Sequence, residues 1–153
     1  MRVCVAKRIA LLLVVCALVA CASEVVSSAP TAALPNPILM FTGQESVENG
    51  GKLLTRYNYA VYNFDDYPPE LFAPAPDLPP CGNNRNAART WVDLYEQSGR
   101  RLYGFCALKS PQDLGHIWFM LDSDAVPPSW IYIELNDRKT NTKYKSNLAE
   151  TTL

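Results

Sequence analysis

Apolar positions in this chain fall into one early block and then a series of short alternating runs. The block is Ile9 to Val19, 11 residues without a polar break. The runs that follow have the period of two expected when one face of a strand is buried. Ile38 to Thr42 is the first, and it is short. Leu53 to Asn63 places Tyr57, Tyr59 and Val61 on one side. Arg89 to Gln97, Arg100 to Leu108 and His116 to Asp122 come next. Ser129 to Asn136 alternates cleanly, with Ile131, Ile133 and Leu135 one way and Trp130, Tyr132 and Glu134 the other. Thr142 to Leu148, which contains Tyr144, is the last. About seven short strands with turn signals between them predict an all-β antiparallel sandwich.

Two stretches between the runs are informative. Phe64 to Pro80 holds six of the 12 prolines. Proline removes backbone donors, so this stretch is expected as an irregular crossing loop, pinned by Tyr67, Leu71 and Phe72. Ser98-Gly99 separates two β-like runs and predicts a tight hairpin. If those two residues form the turn, Asp93 faces Gly104 and Trp91 faces Cys106. The run from Gly82 to Ala88 would then let Cys81 fold back towards Cys106. Lys109 to Gly115 predicts a turn or a single helical turn, capped by Ser110 with Pro111 at its first position.

The early block reads as an export signal. Arg2, Lys7 and Arg8 precede it, and no acidic residue occurs before Glu24. Its length is short of the roughly 20 residues of a spanning helix and suits the core of a secretory signal. The residues that end it, Leu18-Val19-Ala20-Cys21, resemble the lipobox of bacterial lipoproteins. The resemblance implies cleavage before Cys21, a diacylglyceryl group on its sulfur and an acylated amino terminus. Several acyl chains give stable membrane attachment where one gives marginal attachment. The aspartate that retains such proteins in the inner membrane is absent after the cysteine, which implies the outer membrane, facing the periplasm. Ala20-Cys21-Ala22 also fits ordinary signal cleavage, which would discard Cys21 and leave a soluble periplasmic or secreted protein. The expected organisation is a signal over 1–20, a Ser/Ala/Pro-rich tether over 21–36, a sandwich domain over 37–148 and a tail over 149–153.

Processing changes the cysteine count. Cys4 and Cys16 leave with the signal, and Cys21 is acylated or discarded. Cys81 and Cys106 remain in an oxidising compartment, where a disulfide between them is expected. In the loop-entropy picture, closing those 25 residues stabilises by roughly 3.5 kcal/mol. Two thiols and the single histidine make a poor metal set, so no metal is expected. The signal carries three of the 14 basic residues and none of the 15 acidic ones, leaving 11 against 15 and a net charge of −4. That balance gives no footprint for nucleic acid.

Candidate chemistry is sparse. No nucleotide-binding, zinc-protease, hydrolase-elbow or EF-hand motif occurs. His116 could pair with Cys106 as a thiol nucleophile, with Asp113 or Asp122 behind it, but it opens an apolar strand and the thiol has a partner. Asp65-Asp66 and Asp122/Asp124 lack the spacing of a calcium loop. No catalytic residue and no cofactor is expected. Trp118, Trp130 and Tyr132 fall opposite the in-facing apolar set and are the candidate interaction surface.

Strand order and spacing over about Pro37 to Leu148 resemble a fibronectin type III-like domain. The resemblance is architectural and rests on no diagnostic motif. It departs from the immunoglobulin pattern, where the bridge crosses the core between distant cysteines; here it would be a local clip. The expected protein is a membrane-anchored, non-catalytic envelope lipoprotein that works through a protein partner. The alternative is a glycan- or small-ligand-binding accessory domain.

Overall fold

A computed structural model describes residues 33 to 151. The expected signal, Cys21 and the tether as far as Ala32 lie outside the described residues. Eight strands form two antiparallel sheets. They are β1 (Leu39–Asn49), β2 (Lys52–Val61), β3 (Thr90–Glu96), β4 (Arg101–Phe105), β5 (Ile117–Asp122), β6 (Trp130–Asp137), β7 (Thr142–Lys145) and β8 (Ala149–Glu150). One sheet runs β1-β2-β5. The other runs β4-β3-β6-β7, with β8 also paired to β6. In the immunoglobulin constant arrangement the fourth strand joins the first, second and fifth; here β4 sits beside β3 instead.

The alternating runs place the core. Tyr57, Tyr59 and Val61 of β2 and Ile117 and Phe119 of β5 point inward from one sheet. Val92 and Leu94 of β3 and Ile131, Ile133 and Leu135 of β6 meet them from the other. Tyr59 lies between Phe41, at 5.2 Å, and Phe119, at 6.0 Å between ring centres. Its hydroxyl donates to Thr151 Oγ1 at 3.2 Å, and burial pushes its pKa up to about 12. The proline-rich segment crosses with Tyr67, Leu71 and Phe72 all buried, as expected of a loop pinned by those three.

β1 is longer than its apolar run. Its register shifts between Phe41 and Gly43, and Gly43 takes a φ of +136°. This bulge breaks the alternation, and the strand continues to Asn49 through mostly exposed polar residues. Gly50 and Gly51, with φ of +60° and +78°, close the β1–β2 hairpin as a two-residue turn.

The β3–β4 hairpin differs in its turn and agrees in its register. Glu96 N–H donates to Arg100 O at 3.0 Å, so the loop is Gln97-Ser98-Gly99, three residues and not two. Gly99 takes a φ of +88°. A register shift between Leu94 and Tyr95 then restores the expected pairing of Asp93 with Gly104. β4 ends at Phe105, so Cys106 is not in the ladder, and Trp91 pairs with Asn136 of β6.

Three of the residues expected as a tail, Ala149 to Thr151, are part of the folded domain, and the last two lie outside the described residues. Ala149 and Glu150 pair with Ile131 and Trp130. Ala149 and Thr151 are buried, and Thr151 Oγ1 donates to Pro128 O. Two residues are too few to show a period. Asn147 closes this side of the sandwich by bonding the Leu39 N–H at 2.8 Å and the Leu39 C=O at 3.0 Å. A side-chain amide thus takes the place of a strand neighbour on the β1 edge.

Candidate functional site

The two cysteines meet through local turn chemistry. Cys81 and Asn84 exchange backbone bonds at 3.2 and 3.0 Å around Gly82, whose φ is +57°. Asn84 Nδ2 then donates to Cys106 O at 3.2 Å, which ties the turn to the end of β4. Cys106 Sγ lies 3.6 Å from Cys81 O. The thiols are adjacent and unbonded in this structure. Burial, then the neighbouring Cys106 thiol, pushes the Cys81 pKa up to about 12, so thiolate is scarce near neutral pH.

His116 and Cys106 line the same cleft of about 530 Å³, along with Tyr103, Phe105 and Trp118. The partners that would orient the histidine are committed elsewhere. Asp113 Oδ2 accepts from the N–H groups of Lys109, at 2.5 Å, and Ser110, at 3.2 Å. Asp122 pairs with Lys52 at 3.2 Å. Among the described residues no three His, Cys, Asp or Glu side chains come together as a metal site, and no helix is long and apolar enough to cross a membrane.

Trp118, Trp130 and Tyr132 do not form one surface. β5 and β6 belong to different sheets, so the same phase along the sequence points to opposite faces of the sandwich. Trp130, 38% exposed, opens β6. Tyr132 is only 8% exposed; it stacks on Tyr95 at 5.2 Å, with Lys145 Nζ 3.9 Å from its ring centre. Trp118 instead packs towards β4, against Tyr103 at 5.3 Å and Phe105 at 5.9 Å. β4 and β5 are each an edge strand of their sheet, on the side away from β1 and β7. Their aromatic side chains close the side of the sandwich opposite Asn147, and Tyr103 remains 42% exposed.

A second group lies on the outer face of the larger sheet. Trp91 and Asp93 of β3 and Asn136 of β6 face away from the core, opposite Val92, Leu94 and Leu135. Pro79 and Pro80 of the crossing loop form a wall over them, and Thr142 and Lys143 of β7 form the far side. The cleft is open to solvent on one side and has a volume of about 320 Å³. Arg138 holds the wall: it donates to Ala88 O at 3.1 Å and to Pro79 O, and its guanidinium carbon lies 4.8 Å from the Trp91 ring centre. The alternation of β3 puts Trp91 and Asp93 on its outer face, which is a signal of sorts. The contribution of β6 depends on strand pairing, which local pattern does not carry.

Comparison with protein-family models, curated proteins and solved structures finds no match.

Proposed function

We propose that this chain is a lipid-anchored lipoprotein of the bacterial cell envelope whose β-sandwich binds a protein partner and catalyses no reaction. The observation that carries the binding reading is the aromatic seam of Tyr103, Phe105 and Trp118 between two unpaired edge strands. Aromatic side chains are favoured at the centres of protein interfaces, and strand edges offer unpaired backbone groups for a partner to meet. The anchoring reading is supported by the signal and by Leu18-Val19-Ala20-Cys21, which imply the outer membrane and a periplasmic domain. The strand order, with β4 beside β3, supports the resemblance to fibronectin type III-like domains. The adjacency of Cys81 and Cys106 supports a disulfide clip in that compartment.

Two measurements test the parts separately. Labelling with a palmitate analogue should mark the wild type and not Cys21→Ala; equal incorporation in both removes the anchor. Gentle crosslinking in cells followed by purification should recover a stoichiometric protein with the wild type. Trp118→Ala, shown to be folded by circular dichroism, should lose it. Equal recovery with both would rule out the seam as the contact surface.

A further inference from the structure

The Trp91 cleft has the chemistry of a small-ligand site, and it lies on the outer face of the larger sheet, away from the seam. Asn136 is only 7% exposed, yet it lines the cleft. Its amide nitrogen is spent on Asp93 Oδ2 and Glu134 O, both at 3.1 Å. Its Oδ1 accepts no hydrogen bond among the described residues. Unlike the sealed Thr90 Oγ1, this oxygen is open to the cleft, an acceptor that the O–H or N–H of a ligand can meet in place of water. Asp93 beside it is fixed by Arg101 Nε at 2.7 Å and by that same Asn136, and its carboxylate oxygens have further acceptor capacity. The floor is therefore acceptor-rich and asks for a ligand with O–H or N–H donors.

The walls narrow the class. Trp91 offers an indole surface whose position is set by Arg138 and the Pro79-Pro80 wall. Lys143 Nζ, 3.1 Å from Glu134, supplies donors from the far side. The charges are answered within the protein: Asp93 by Arg101, Asp137 by Arg89 and Lys143 by Glu134. Arg138 donates to two carbonyls, Ala88 O and Pro79 O, and has no carboxylate partner among the described residues. A neutral ligand is favoured, because a cation would meet carboxylates already paired and an anion would be set against Asp93 in the floor, with Arg138 turned to the wall carbonyls and the Trp91 ring. The volume of about 320 Å³ sits at the lower end for ligand pockets, room for one ring. A smaller hollow of about 190 Å³ shares Pro80, Trp91 and Asp93 with it and extends the site towards Cys81.

We propose that this cleft binds a neutral saccharide, with one pyranose ring resting its C–H face on Trp91 and its hydroxyls donating to Asp93 and Asn136. A sugar ring combines the two properties the cleft presents, an apolar face and an edge of hydroxyl donors and acceptors. The adjoining hollow gives a second ring a place, so disaccharides bind more tightly than monosaccharides. The site depends on neither the lipid anchor nor the protein partner.

Full-length protein in a non-glycosidic detergent would be titrated with cellobiose, N,N′-diacetylchitobiose, glucose and adenosine. Tryptophan fluorescence and calorimetry would be read up to about 10 mM, where a millimolar site is nearly saturated. At least one disaccharide should give a saturable response, tighter than glucose, with no response to adenosine. Trp91→Ala should abolish it, Asp93→Asn should weaken it tenfold or more, and Trp118→Phe should leave the calorimetric affinity unchanged. If Trp91→Ala does not fold, Lys143→Met on the far wall should still weaken binding several-fold. Silence from every saccharide overturns the proposal. So does binding that survives Trp91→Ala, an affinity that Lys143→Met leaves unchanged, or a response to adenosine alone.

Discussion

The Arg89–Asp137 pair links the larger sheet to the loop beside the cleft, and it makes stability depend on acid in a calculable way. Asp137 ends β6 and is 3% exposed. Its carboxylate accepts from Arg89 Nε at 2.8 Å and Nη2 at 2.5 Å, from Thr140 Oγ1 at 2.8 Å and from the Lys139 N–H at 3.1 Å. Burial alone would raise its pKa. The hydrogen bonds from Arg89, Thr140 and Lys139 outweigh that and hold it at about 2 against an ordinary 3.8. Each tenfold change in an acid constant is about 1.4 kcal/mol, so the charged form stabilises the fold by about 2 kcal/mol. The folded pKa is depressed. The contribution is therefore complete above the unfolded value near 4 and is lost as pH falls through about 2. Asp137→Asn removes it and leaves Arg89 without its carboxylate, a loss of roughly 2–4 kcal/mol at pH 7. Urea unfolding of wild type and variant would be followed at steps from pH 7 to pH 2. The gap in stability should be constant down to about pH 5 and shrink steadily below it, because only the wild type carries this titration. A gap that stays constant from pH 5 to pH 2 would refute the account.

Three further outcomes follow from single contacts. Among the described residues Thr90 Oγ1 is buried without a hydrogen-bond partner, so Thr90→Val should stabilise by about 1 kcal/mol, read as a raised melting temperature; destabilisation would mean the hydroxyl has a partner. Asn147→Ala strips two bonds from Leu39 and should cost about 2 kcal/mol, with faster amide exchange at Leu39; unchanged exchange there would dismiss the edge-cap role. Protein exported into an oxidising compartment should lack free thiols at Cys81 and Cys106, and Cys106→Ser should lower its stability by up to about 3.5 kcal/mol without releasing it from the membrane. Two titratable thiols in the exported wild type would exclude the clip.

What the sequence revealed tracks the range of the interaction involved. The inward faces of β2 and β6 could be read residue by residue, because a period of two with one buried face admits a single phase. The capped turn after Ser110 was equally local, and Asp113 completes it. The Cys81–Cys106 approach was also legible, since it needs only a hairpin register and a glycine able to turn the chain. That reading survived a wrong loop length because the β4 bulge absorbs the residue that the three-residue turn adds. β1 was cut short for the converse reason: the bulge at Gly43 ended the alternation while the strand went on.

The site was hidden because it depends on which strands are neighbours. Trp118 and Trp130 share a phase and were grouped, yet they lie in different sheets. Trp91 and Asn136 are 45 positions apart by number and are direct ladder partners. No period connects them; only the pairing of β3 with β6 does. The same holds for the proline-rich loop, which sequence could identify as irregular but not as the wall over Trp91. That wall is set from both ends, by Arg138 on Pro79 and by the Cys81 turn on Cys106. The stretch from Pro79 to Cys106 thus contributes the wall, the ring and one carboxylate of the cleft. Its two thiols lie at the turn that holds this wall, and a thiol with its pKa raised to about 12 suits support better than attack.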